Sequence, residues 1–133
     1  EQLGADLVVD SVAVRPGHPM LLATLPHRRH LLGLPGNPQA AIAALLTLGE
    51  PLIARLLHRP EPRLGTITSD AAFSAPPHAT RLVLAYHGPT GAVAVRHLGS
   101  GMLRGLATAD GYVVIPPGGS RPGEPLPWLP LPV

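Results

Sequence analysis

Leu32-Gly33-Leu34-Pro35-Gly36-Asn37-Pro38 runs directly into Gln39-Ala40-Ala41-Ile42-Ala43-Ala44-Leu45-Leu46. An apolar run stops, a turn dipeptide intervenes, and a helical pattern begins. Proline fixes φ and glycine can take φ > 0, so Pro35-Gly36 reads as a tight turn. Asn37 is a favourable N-cap. Pro38 then occupies the first helical position, where a missing N–H costs nothing. The stretch predicts a strand ending near Leu34, a corner, and a helix from about Pro38. Such a corner turns backbone N–H groups and the positive end of a helix dipole outward, which suits an anion. Most strand–turn–helix corners bind nothing, so turn chemistry alone does not assign this one.

On the N-terminal side, Leu7-Val8-Val9 and Val12-Ala13-Val14 read as one strand with a polar interruption at Asp10-Ser11. Arg15-Pro16-Gly17-His18-Pro19 is a turn by composition. Met20 to Leu25 is a second apolar run, closed by Pro26-His27-Arg28-Arg29-His30, and Leu31 to Leu34 is a third. On the C-terminal side, Ile42, Leu45, Leu46, Ile53, Leu56 and Leu57 fit one buried helix face. Pro51 removes a hydrogen bond to the Thr47 carbonyl, so the helix is expected to kink there or split at Gly49. Pro60 to Pro62 reads as a linker. Beyond it, Leu64 to Phe73, Ala79 to Tyr86, Ala92 to Leu98, Tyr112 to Ile115 and Leu126 to Leu131 are short runs between Gly/Pro turns, the pattern of a small sandwich or barrel. Ser100 to Ala109 departs from it. Met102, Leu103 and Leu106 stand at helical spacing, with Ser100 as N-cap and Asp110-Gly111 as stop, as for a short helix at a barrel end.

The chain has 133 residues, 45% of them hydrophobic and 3% aromatic, so its core is aliphatic. It opens on Glu1-Gln2, which leads us to expect a piece of a longer polypeptide. All ten basic residues are arginine, dispersed along the chain, and the net charge is +2. That is small for a nucleic-acid binder. Zero cysteines exclude disulfides and thiolate metal sites. No apolar run approaches membrane-spanning length by eye and no signal peptide is visible, so the expectation is a soluble cytoplasmic protein without a membrane partner. His27 and His30 lie three apart in basic surroundings with no carboxylate near in sequence, a poor zinc site. The remaining acids are isolated or sit at a strand edge, and no nucleophile elbow is present.

Three motifs in order carry a resemblance: Arg15-Pro-Gly-His-Pro19, then Gly33-Leu-Pro-Gly-Asn-Pro38, then Gly99-Ser-Gly-Met-Leu103 with Ala109-Asp-Gly111 and Val114-Ile-Pro116. Together they resemble the C-terminal part of the MoeA/gephyrin-type molybdopterin molybdenumtransferases, whose usual wording is close to "KPGKP", "GLPGNP" and "GSGML…A(N/D)G…P". The resemblance implies a fold that is α/β plus all-β. Residues 1–59 would be the C-terminal part of a three-layer α/β molybdopterin-binding domain, and residues 60–133 a small β-barrel domain. It implies insertion of molybdate into adenylylated molybdopterin with release of AMP, Mg²⁺ as cofactor, molybdopterin and molybdate as substrates, and a homodimer.

Residue by residue, Arg15 and His18 match the two lysines of the first motif and flank Gly17 at the turn. Pro35, Gly36, Asn37 and Pro38 match the corner. Arg81 aligns with the first arginine of the family's barrel strand, and Ser100 with a serine near the bound oxyanion. Anionic substrates explain these residue types, because cations, hydroxyls and helix starts bind oxyanions. There are departures. His18 makes a permanent charge pH-dependent. Ala40 stands where many relatives carry serine. Tyr86 stands where a second arginine is usual, with Arg81 or His87 as the nearest substitutes. The family's upstream phosphate loop and acidic residue would precede Glu1, so the chain alone is expected not to catalyse insertion. A non-catalytic binding or scaffold paralogue is the alternative. The open strand edge near Leu7 to Leu34 invites self-association.

Overall fold

The computed structural model describes residues 4–96 and 102–132. The chain divides into two compact units, Glu1–Pro62 and Arg63–Val133.

The first unit pairs three strands in an antiparallel meander: β1 (Asp6–Asp10), β3 (Leu21–Leu25) and β4 (Arg29–Gly33), in the order β1-β3-β4. Leu7, Ala23 and Leu31 share one row across the sheet, and β1 carries a bulge between Leu7 and Val9. Between β1 and β3 lies a two-residue strand, β2 (Val14–Arg15). The expected single strand through Val14 is therefore two. Ser11 takes φ 66°, outside the extended region, and breaks the run there.

A helical stretch follows: α1 (Pro38–Ala44), a π-turn (Leu45–Gly49) and α2 (Glu50–Leu56). Pro51 neither splits nor ends it. The Glu50 amide donates back five residues to Leu45, and this wider turn accommodates the carbonyl clash that a proline ring imposes on a tight helix. The buried face also differs from expectation. Ala40, Ala43, Ala44, Leu46 and Ala54 are buried, whereas Leu45, Ile53, Leu56 and Leu57 are exposed. Small residues let the helix approach β4, where a Cβ added to Gly49 would come within 3.1 Å of Leu32. The 19-residue stretch Pro38–Leu56 is long and apolar enough to cross a membrane by length and composition, contrary to the expectation above. Gly49-Glu50-Pro51 looks like a break in sequence and is not one in structure. A core helix of a soluble protein meets the same criterion.

The second unit contains β5 (Gly65–Ile67), β6 (Thr80–Gly88), β7 (Gly91–Ala94), α3 (Met102–Thr108), β8 (Gly111–Ile115) and β9 (Leu126–Pro130). The strands are antiparallel in the order β5-β9-β8-β6, and β7 folds back on β6 in a hairpin. Alternate residues build the core: Val83 and Ala85 from β6, Val113 and Ile115 from β8, Leu126 and Trp128 from β9, with Ile67 and Ala92. Of the run Leu64 to Phe73 only Gly65–Ile67 is strand, while Phe73 makes an isolated bridge to Ser120. The pairings among the described strands leave the sheet open, not closed into a ring. The short helix forms as expected and lies against β6.

Candidate functional site

The corner forms where the sequence places it. Asn37 has extended dihedrals (φ −75°, ψ 126°), and its Oδ1 accepts the Ala40 amide at 3.1 Å. Its carbonyl accepts the Ala41 amide at 2.8 Å. Pro38 stands at the first helical position. Pro38 brings no donor, and the Ala40 and Ala41 amides are already taken. The corner therefore presents fewer N–H groups than turn chemistry alone promises. Gly36, Asn37 and Pro38 are exposed, and a Cβ on Gly36 would meet nothing within 4 Å. An approaching ligand meets no packed wall there.

The Arg15–Met20 loop comes to the same place. Gly17 takes φ 113°, which side chains rarely adopt, and is buried. A Cβ there would lie 2.7 Å from Met20 Cε and 3.7 Å from the Ala40 carbonyl oxygen. The loop backbone thus lies against the first turn of α1, and the positive φ of the turn is what calls for glycine there. Met20 is buried, with its Sδ 3.6 Å from Thr47 Oγ1, so the loop is anchored on the π-turn that follows α1. The Met20 amide donates to the Gly17 carbonyl at 3.0 Å and closes the turn. Arg15 and His18 flank this turn and are exposed, and Arg15–Pro16 is a cis peptide bond. His18 Nδ1 lies 2.9 Å from the Val12 carbonyl oxygen. The Val12 amide in turn donates to the His18 carbonyl at 3.0 Å. The structure thus sets the Gly17 turn against Ala40 of α1, and Arg15, His18 and Pro35 to Pro38 belong to the same unit.

Of the other two site residues, one is described. Arg81 belongs to β6 of the second unit, where its Nη1 donates to the Ser74 carbonyl at 2.9 Å and to Ser74 Oγ at 3.2 Å. Ser100 lies outside the described residues. Tyr86 is exposed. The His87 ring lies against Trp128, with centroids 4.9 Å apart at 59°. Among the described residues no group of three or more His, Cys, Asp or Glu could hold a metal ion, His27 and His30 included.

Sequence reasoning overlooked two residues. Val12, read only as strand, holds His18 by two hydrogen bonds. Asp110, read as a helix stop, is an anchor. Its Oδ2 accepts the His87 amide at 2.8 Å, its amide donates to Ala85, and its carbonyl accepts from Leu131. An aspartate before a strand glycine was the available signal for Asp110; none existed for Val12.

A sheet-and-helix unit with a capped corner, followed by a small antiparallel β unit, defines a two-part architecture that known families share. Residues 66–131 match the family model described as "MoeA C-terminal region (domain IV)". The chain is 32% identical over 131 residues to the molybdopterin molybdenumtransferase of Bacillus subtilis, covering 91% of this chain and 29% of the relative. It is 41% identical over 56 residues to the molybdopterin molybdenumtransferase of a Nostoc species, covering 41% of this chain and 13% of the relative. The chain thus spans less than a third of the length of either curated relative. Among solved structures, a molybdopterin biosynthesis MoeA protein from Pyrococcus horikosii superposes with a TM-score of 0.75 at 25% identity, covering 97% of this chain and 32% of that one. A molybdenum cofactor biosynthesis protein from Pyrococcus furiosus superposes with a TM-score of 0.72 at 19% identity, covering 93% of this chain and 45% of that one. The chain belongs to the MoeA family and corresponds to the C-terminal part of its members.

Proposed function

We propose that this chain works in molybdenum cofactor biosynthesis as the C-terminal part of a molybdopterin molybdenumtransferase. The reaction is insertion of molybdate into adenylylated molybdopterin with release of AMP. The observation that carries the reading is the packing of the Gly17 turn on the first turn of α1, which brings the two N-terminal motifs of the resemblance together. In this reading Arg15 supplies a charge that persists at every working pH and two or more donors in fork geometry for a tetrahedral oxyanion. The positive end of the α1 dipole adds a fixed partial charge behind Asn37. Gly17 keeps both at close range. Residues 1–59 are the end of the molybdopterin-binding domain and residues 60–133 the β domain that contributes Arg81 and Ser100. The working form is a cytoplasmic homodimer.

Mg²⁺ fits the described residues poorly, because they supply no cluster of carboxylates or imidazoles. Calorimetric titration with molybdate tests the reading. Loss of at least about tenfold in affinity is expected for Arg15→Ala, the equivalent of one charge-assisted hydrogen bond. Unchanged affinity in that variant would remove Arg15 from the site and the reading with it.

A further inference from the structure

The three-stranded sheet of the first unit ends on two strands of opposite charge. Among the described residues β1 and β4 each pair with β3 alone, so the outer edge of each is open. β1 reads Asp6-Leu7-Val8-Val9-Asp10, with an aspartate at either end. β4 reads Arg29-His30-Leu31-Leu32-Gly33, and Arg28 directly precedes it. Asp6, Asp10, Arg28 and Arg29 are all exposed, and none of the four has an ion-pair partner among the described residues. Between the charges both edges are apolar. Leu7 and Val8 are 59% and 60% exposed and Leu31 is 40% exposed, so no packed layer covers them. An open edge with an apolar centre takes a further strand unless charge forbids it.

Charge chooses among the three pairings that two copies could make. β1 on β1 sets aspartate against aspartate at both ends, whichever way the strands run. β4 on β4 gathers Arg28 and Arg29 of both copies, and neither strand carries an acid. β1 on β4 sets two carboxylates against two guanidinium groups. We propose that the β1 edge of one copy of this chain pairs with the β4 edge of a second copy. Val8 then lies opposite Leu31 in either strand direction, because each is the middle of a five-residue strand. Asp10 faces Arg29 if the strands run antiparallel, and Asp6 faces it if they run parallel. The bulge in β1 shortens the ladder that a neighbour can add, which leaves the charges to select the partner. The contact joins unlike surfaces, so it closes at two copies only when each β1 takes the other copy's β4. The inference rests on the homodimer reading given above and supplies its surfaces; it does not depend on the oxyanion.

Sedimentation of the 133-residue chain is expected to show self-association that weakens as salt rises from about 0.05 M to about 0.5 M. Asp6→Arg with Asp10→Arg makes both edges basic. Arg28→Asp with Arg29→Asp makes both acidic. Each double variant is expected to self-associate at least about tenfold more weakly than the parent, and an equimolar mixture of the two is expected to recover association. The chain has no cysteine, so Val8→Cys and Leu31→Cys each carry a single thiol. On mild oxidation their mixture is expected to give the 8–31 disulfide in preference to 8–8 or 31–31. The disulfide result decides alone if a double variant fails to fold. Association of the parent that salt leaves unchanged or strengthens, a mixture of folded double variants that stays monomeric, or a preference for 8–8 or 31–31 links each overturns the inference and leaves the homodimer reading standing. A parent that stays monomeric at every concentration and salt sinks both.

Discussion

Among the described residues Tyr112 is the largest fully buried side chain, and its hydroxyl has no hydrogen-bond partner among them. Burial without a partner penalises the phenolate, and the pKa rises from 10.0 to about 12. Because the folded-state value lies above the unfolded one, the associated stability is complete below about pH 10 and is lost as pH rises through about 12. At about pH 11 the loss relative to neutral pH amounts to roughly 1.4 kcal/mol. Tyr112→Phe removes both the penalty and the titration. It is expected to leave stability at neutral pH unchanged or raised by up to about 1 kcal/mol, and to flatten the decline between about pH 9 and about pH 11. Urea midpoints for both proteins at the two pH values check this, and Tyr86, common to both, cancels. A Tyr112→Phe protein that declines as steeply as the parent would mean that the phenol finds a partner. At this scale the sequence was legible where interactions are local. The Asn37 cap bonds three residues ahead, and its partner is fixed by spacing alone. His18 was legible as a site residue but not as a tethered one, because its partner Val12 sits six residues back in what reads as a strand. Arg81 matched an alignment position, yet Ser74 engages its guanidinium, and no pattern in the chain announces that contact.

Elements were legible by type more than by extent. Hydrophobic alternation finds β6, β8 and β9, each with an inward face two residues apart. The helical stretch is read correctly at its start and wrongly along its buried side, because hydropathy weighs leucine above alanine. Packing against a close neighbour reverses that order, and alanine occupies the contact. The π-turn is invisible to a 3.6-residue template, since it is the local answer to Pro51. The end of α3 gives a test of how elements are tied together. Asp110 accepts the His87 amide through its side chain, and its other two bonds are main-chain. Asp110→Ala deletes only the first. His87 is exposed, so water compensates in part, and a loss of about 1 kcal/mol is expected. Asp110→Asn keeps an acceptor oxygen at the same reach and is expected to lose less than half of that. Thermal unfolding of the three proteins decides. Equal loss in both variants would show that the carboxylate charge, not its acceptor position, holds the strand end.

At the scale of the chain, composition located a change of character at Pro60 to Pro62, because Pro-Glu-Pro can neither extend a helix nor join a ladder. It could not supply strand order. The sequence of β8 and β9 contains nothing that sends β5 to the far edge, since that pairing is a contact of about sixty residues' separation closed by the whole core. Residues 59–64 are exposed and lack regular structure between the two compact units. This makes a proteolytic prediction with little freedom. Trypsin cuts after arginine but not before proline, so Arg15, Arg59 and Arg121, each followed by proline, are protected by sequence. Arg55, Arg81 and Arg104 lie inside helices or strands, whose backbone must open before a protease can hold it. Arg28 and Arg29 are exposed but sit in a hairpin whose left-handed residues His27 and Arg28 do not match the extended form a protease binds. Arg63–Leu64 meets every condition, and exposed Arg96, beyond the end of β7 and not followed by proline, is the one other arginine that these conditions leave open. A brief digestion at low enzyme ratio, read by mass spectrometry, is expected to cut there before any site within the described strands and helices. First cleavage inside β6 or α2 would mean that those elements open more readily than the linker, and that the boundary between units lies elsewhere.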